Sequence, residues 1–166
     1  IMLQLKVGKP VKNVNGWLYD TVTGIYGTDY LNRALVTAIG LGANRPQDAI
    51  YPMSMKDANG SDYDGKNKYV IRFAKGQLPP VKGFWSISLY NAKGYFQEND
   101  LQAYSLNNLT AKSDANGSYT IRFGECGDGV ENCLPIMDGW NYAVRMYEPS
   151  KAIQDGTWTF PGPPTP

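Results

Sequence analysis

The chain of 166 residues contains no histidine. That absence removes the usual general base of serine and cysteine hydrolases and the commonest metal-ligating side chain. Cysteine is scarce, and its two residues without histidine do not complete an ordinary zinc shell. There is no Gly-rich phosphate loop, so nucleotide and dinucleotide readings lack their motif. Neither sign of charge is in excess: 16 Lys and Arg face 15 Asp and Glu, a formal net charge of +1. Without a basic stripe to follow a phosphate backbone, nucleic acid is not expected as a partner. Long apolar runs are missing too. The stretch "ALVTAIGLGA" is too short to cross a bilayer and runs on into Arg45 and Asp48, so no membrane span is expected. The chain starts at Ile1 without a charged leader and cleavage site, which suggests a processed mature chain or a piece of a longer one.

What is present is the composition of one folded domain, 42% hydrophobic and 19% charged, with enough apolar surface for a core. The two cysteines lie in "GECGDGVENC", where a Gly-rich loop can bring Cys126 to Cys133. A disulfide there would stabilise the fold by about 2.5 kcal/mol on the chain-entropy model and imply an oxidising compartment. Two free thiols are the alternative. Asn-x-Ser/Thr sequons at Asn59, Asn108 and Asn116 fit an exported protein where glycosylation machinery exists. Together these features favour an extracytoplasmic location, whether secreted, periplasmic or on a surface.

Helical periodicity occurs once. After Thr28 as N-cap, Leu31, Ala34, Leu35 and Ala38 share one face, and Gly40 supplies a stop. The later segments alternate with period two. "YVIRF" (69–73) and "YTIRF" (119–123) are near copies, each with Tyr, Ile and Phe on one face and Arg on the other. Each follows the turn "DANGS", at Asp57–Ser61 and Asp114–Ser118, where Asn-Gly suits the positive φ of a tight hairpin. With "WNYAVRMY" and "TWTF" the pattern predicts a mainly β chain, an antiparallel β-sandwich with one short helix near the N-terminus.

In "GFWSISLY" (83–90), Trp85, Ile87 and Leu89 fall on one face and Phe84, Ser86, Ser88 and Tyr90 on the other. The first set reads as core. Ser86 lacks both a Gly-x-Ser-x-Gly elbow and a histidine to activate it, so it is not read as a nucleophile. Phe84 and Tyr90 stand roughly 20 Å apart at strand rise, too far to sandwich one sugar.

The successive pieces "GIYGTDYLNRALVTAIGLGAN", "AIYPMSMKDANGSDYDGKNKYVIRF", "LPPVKGFWSISLYNAKGYFQENDLQAYSL", "NCLP" and "VRMYEP" with "DGTWTFP" resemble the ordered motifs of the domain of unknown function 1214 family. The resemblance implies a jelly-roll-like sandwich. It also implies that the domain is the C-terminal half of an exported protein whose N-terminal half is the domain of unknown function 1254. On that footing residues 1–15 are a linker from a companion domain, 16–160 the β-sandwich, and 161–166 a proline-rich tail. Family members usually carry Trp where this chain has Cys133 in "ENCLP". A Cys126–Cys133 bond would do the local anchoring of that indole, which weakens any binding role carried over to the loop.

Candidate chemistry is sparse. Asp57, Asn59, Asp62 and Asp64 in "DANGSDYDG" have the alternation of an Asp-rich calcium loop, but a plain turn explains them better, and calcium is the sole cofactor considered. Glu98 and Asp100 in "YFQENDLQAYS" are the acidic pair nearest a group of aromatics and are the catalytic candidates for a glycan-acting hydrolase. Their turn-like setting favours solvated loop charges. Tyr90, Tyr95, Phe96, Asn99 and Tyr104 have the aromatic-plus-amide character of a carbohydrate or protein recognition surface, against a competing reading as core packing. Arg72, Arg122 and Arg145 are expected to ion-pair across strands on the outer face. The preferred function is a non-enzymatic exported module that packs on its companion domain or on copies of itself at an envelope, matrix or virion-like surface. An exposed apolar or aromatic patch is its expected mark. The alternative is the hydrolase.

Overall fold

The computed structural model describes residues 12–166. Within them the chain forms β1 (Lys12–Val14), β2 (Trp17–Tyr19), α1 (Tyr30–Ile39), β3 (Ala49–Ile50), β4 (Tyr69–Phe73), β5 (Trp85–Tyr90), β6 (Ser105–Asn107), β7 (Tyr119–Phe123), β8 (Cys133–Leu134), β9 (Asn141–Tyr147) and α2 (Lys151–Asp155). One sheet has the order β3-β9-β5-β6, a second β4-β7-β8, and β1 with β2 makes a hairpin. All pairs are antiparallel except β7 with β8. The fold is therefore mainly β and sandwich-like, as the alternation predicts, but a second helix, α2, joins the one expected, and Thr157–Phe160, read as a strand, lies outside the strands. Part of the segment read as a linker, Lys12–Val14, pairs with β2, while residues 1–11 lie outside the described residues.

The near-copy strands are each other's partners. β4 pairs with β7 about the centre Ile71↔Ile121, so that Tyr69 faces Phe123 and Phe73 faces Tyr119. This corrects the hairpin expectation, since neither DANGS turn joins two neighbouring strands. Only the glycines of the turns take positive φ, Gly60 at 82° and Gly117 at 81°. The Asn before each stays at negative φ because the loop closes over five residues, with Asp57 N–H on Ser61 O and Asp114 N–H on Ser118 O.

Between the sheets lies an aromatic core. Phe73 meets Trp85 at 5.9 Å and Phe123 meets Tyr142 at 5.3 Å, which brings both sheets into one cluster. Trp140 stacks on Phe123 and on Tyr142 at 5.3 and 5.8 Å. The tyrosines in this core keep their hydroxyls bonded, as burial requires. Tyr142 and Tyr63 share a hydrogen bond of 3.2 Å, Tyr63 also donates to Lys56 O, and Tyr69 accepts from Asp64 N. Burial pushes the Tyr142 hydroxyl well above its ordinary pKa, reinforced by Tyr63. The proline-rich tail closes one edge: Trp17 Nε1 donates to Pro161 O at 2.6 Å, and Thr165 bridges Val70 on the free side of β4.

The helix starts one residue later than Thr28 implies. Asp29 is the N-cap, accepting from Asn32 N at 3.1 Å, and Gly40 ends the helix with its N–H on Val36 O. Its orientation is also shifted. Asn32, Leu35 and Val36 are the partly covered positions, whereas Leu31, Ala34 and Ala38 are exposed. The stripe Leu31, Ala34 and Ala38 is therefore not packed on the sandwich.

Cys126 and Cys133 are joined, with Cα atoms 5.5 Å apart. The base of that loop is held by buried Asn132, whose side chain donates to Lys112 O and accepts Lys112 N–H at 2.7 and 2.8 Å. Replacing both cysteines by alanine is expected to lower the unfolding free energy by about 2.5 kcal/mol. A lower urea midpoint at unchanged slope is the expected result, and an unshifted midpoint would show that the loop is fixed without the bond. Asp114 gives a pH prediction. Hydrogen bonds from Thr120 and Ser118 hold its carboxyl below the usual range. Because the folded group titrates lower than the unfolded one, its contribution is full above about pH 4 and is lost as pH falls through the folded value. Asp114→Asn should flatten the acid limb of stability measured by urea titration between about pH 2 and 5.

Candidate binding face

The outer face of the four-stranded sheet follows from alternation on β5 and β9. Ser86 lies opposite Arg145, Ser88 opposite Ala143, and Tyr90 opposite Asn141. Across β6 the same two serines meet Asn107 and Ser105. Ser86 and Ser88 are both buried, and Ser88 Oγ lies 3.0 Å from Ser105 Oγ, which in turn donates to Ile87 O. These serines are strand neighbours and not nucleophiles.

Rings stand at both ends of this row. At one end Phe84 stacks on Tyr147 at 4.4 Å, and Tyr147 meets Tyr51 edge-on at 6.4 Å. Asn44 Nδ2 donates to the Tyr51 hydroxyl at 2.5 Å. Burial raises the Tyr51 pKa, while the Asn44 bond and the Arg145 charge pull it back. At the other end Tyr90 and Phe96 stack almost parallel, 5.1 Å apart at 5°, and Phe96 meets Tyr104 at 5.5 Å. Between the two groups Arg145 Nη2 donates to the Tyr90 hydroxyl at 2.7 Å, with Cζ 5.8 Å from that ring.

Of the five residues marked in the sequence as binding candidates, Tyr90, Phe96 and Tyr104 are brought into one stack. Tyr95 is exposed beside it. Asn99 turns inward and staples its own loop, donating to Gln97 O and Ala103 O and accepting Ala103 N–H. Its amide is engaged by backbone rather than offered to a ligand. Glu98 and Asp100 are exposed on this loop, and the structure does not bring them into a cleft. The Asp-rich set disperses as well: Asp57 is buried and accepts Asn59 and Ser61 N–H groups, Asp62 pairs with Lys56 at 2.7 Å, and Asp64 accepts Lys66 N–H. Among the described residues no three carboxylates or cysteines converge as a metal cluster. Asn59, Asn108 and Asn116 are all exposed.

The expected arginine ion pairs are replaced by other partners. Arg122 donates to Thr120 O and Glu131 O, Arg72 is exposed, and Arg145 takes Tyr90. The reason is local: the positions across β5, β6 and β9 from Arg145 carry serine, asparagine or alanine. Tyr51, Phe84, Arg145 and Tyr147 were not grouped by sequence reading. The alternation in "YAVRMY", which sets Arg145 and Tyr147 on one side, is the signal that could have joined those two.

Fold and face together define a mainly β protein whose outer face carries buried serines flanked by aromatic rings. Residues 48–151 match the family described as Protein of unknown function (DUF1214), and the chain belongs to that family. The crystal structure of the VPA0106 protein from Vibrio parahaemolyticus matches with a TM-score of 0.65 and 31% identity, over 78% of this chain and 34% of that one. An uncharacterized protein from Burkholderia cenocepacia matches with a TM-score of 0.44 and 19% identity, over 72% of this chain and 31% of that one. The chain thus spans about a third of the length of the solved structures it matches. No curated protein matches it.

Phe96 is 54% exposed, so its stack adds aromatic contact more than burial. Phe96→Ala is expected to cost about 0.5 to 1.5 kcal/mol in urea unfolding. A loss above about 3 kcal/mol would mean that the stack supports the core instead of presenting a surface.

Proposed function

We propose that the chain is a non-enzymatic, exported binding and assembly module that packs on a companion domain or on its own copies. The observation that carries this reading is the uncovered side of α1. Tyr30 is 69% exposed, Leu31 59%, and Leu41 just beyond the helix 86%, with Ala34 and Ala38 exposed between them. An apolar patch of this kind is costly in water and marks an interaction surface when it is contiguous. In VPA0106 the matched region is 34% of the chain, so that protein has further polypeptide outside the match. We assign a domain of unknown function 1254 to that position.

The disulfide and the exposed sequons support an oxidising, extracytoplasmic setting. No helix among the described residues is long and apolar enough to cross a membrane. The hydrolase alternative draws no comparable support, because Glu98 and Asp100 stand in solvent on one loop.

Sedimentation velocity over a wide concentration range tests the assembly reading. The chain alone is expected to associate as concentration rises, and Leu31→Glu with Ala38→Glu to hold it monomeric. A wild-type chain that stays monomeric at every concentration would count against this use of α1.

A further inference from the structure

We propose that the outer face of the four-stranded sheet binds a uronate-bearing glycan, with Arg145 holding a sugar carboxylate and the rings at either end stacking on neighbouring sugar units. This goes beyond assembly through α1 and uses a different surface.

The first observation is the state of Arg145. Its guanidinium is charged at all ordinary pH and presents five N–H donors. It is half-buried, yet among the described residues no carboxylate pairs with it, in contrast to Lys56 with Asp62 and Lys112 with Glu131. The strand neighbours of Arg145 are neutral: Ser86 on β5 and Asn107 beyond it on β6, with Tyr51 after β3 close enough to feel its charge. A partly covered cation with no carboxylate partner has room for a counter-charge, and a planar carboxylate fits the guanidinium fork with two parallel bonds.

The second observation is that the group is pre-oriented. The 2.7 Å bond to the Tyr90 hydroxyl and the position of Cζ 5.8 Å from that ring fix the guanidinium on one side. Tyr90 is itself held against Phe96. Fixing the fork before binding reduces the ordering cost that a free arginine would bring.

The third observation selects a glycan over a lone carboxylate. Phe84 is 44% exposed at one end and Phe96 54% at the other. Phe84 and Tyr90 are separated by roughly 20 Å along β5 at strand rise, and Arg145 lies opposite Ser86, between them. One sugar ring does not span that distance, whereas a linear chain running along the strand meets both ring groups and passes the cation. Rings offer apolar faces to sugar C–H groups, and tyrosine hydroxyls add polar contacts.

The test is calorimetry on the folded protein with oligogalacturonate, neutral dextran and dextran sulfate. Oligogalacturonate is expected to bind, with affinity falling as salt rises. Arg145→Gln should weaken binding about tenfold or more at an unchanged urea midpoint, and Arg145→Lys should recover only part because it keeps the charge but loses the fork. Phe96→Ala, an exposed position, should weaken binding several-fold and gives a second readout should Arg145→Gln unfold. Equal binding of dextran, binding of dextran sulfate alone, or full affinity in Arg145→Gln would overturn the proposal. So would no binding of any polymer, and the sedimentation result on α1 would stand apart from all of these outcomes.

Discussion

Tyr69–Phe73 and Tyr119–Phe123 turn their shared Tyr, Ile and Phe toward the core, with Tyr119 half-buried, because each strand supplies the hydrogen bonds the other lacks. The pairing is symmetric about Ile71 and Ile121, so Tyr69 stands beside Phe123 and Phe73 beside Tyr119. Tyr69, Phe73, Ile71, Ile121 and Phe123 are fully buried as a result. The second sheet packs its Trp85, Tyr142 and Val144 on this surface, and Trp140 bridges the two through Phe123. Without the β4–β7 pair neither the aromatic core nor the position of β5 and β9 would be defined. Its two strands begin fifty residues apart in the chain, so it forms late in any folding route that favours local contacts.

Strand identity was legible because period-two alternation survives in short segments. Trp85, Ile87 and Leu89 occupy the core face as read, and the Cys126–Cys133 bond is present. Which strand pairs with which was not legible, since the same apolar pattern fits a hairpin with the preceding turn and a long-range partner equally well. The orientation of α1 failed for a related reason. Two apolar stripes differ by one residue, and whether Val36 or Ala34 turns inward depends on loop contacts that periodicity does not contain.

The candidate face shows the same division. The Tyr90, Phe96 and Tyr104 stack follows from aromatics set around one turn, whereas Asn99 left the group because an amide in a tight loop finds backbone partners before any ligand does. Arg145 was legible as an outer-face cation. Its lack of a carboxylate depends on the register of β5 and β6, which places Ser86 and Asn107 across from it. Electrostatic character at this face is thus a tertiary property built from unremarkable residues.

The near identity of β4 and β7 carries a consequence for the chain in company. A strand whose proper partner is almost its own copy is also complementary to itself in a neighbouring molecule, so "YVIRF" of one chain is competent to pair with "YVIRF" of the next. In the folded protein Thr165 occupies part of the free edge of β4, and β8 lies along β7. The tail and the disulfide-anchored strand therefore cover parts of the two edges at which a neighbouring chain could add a strand to this sheet.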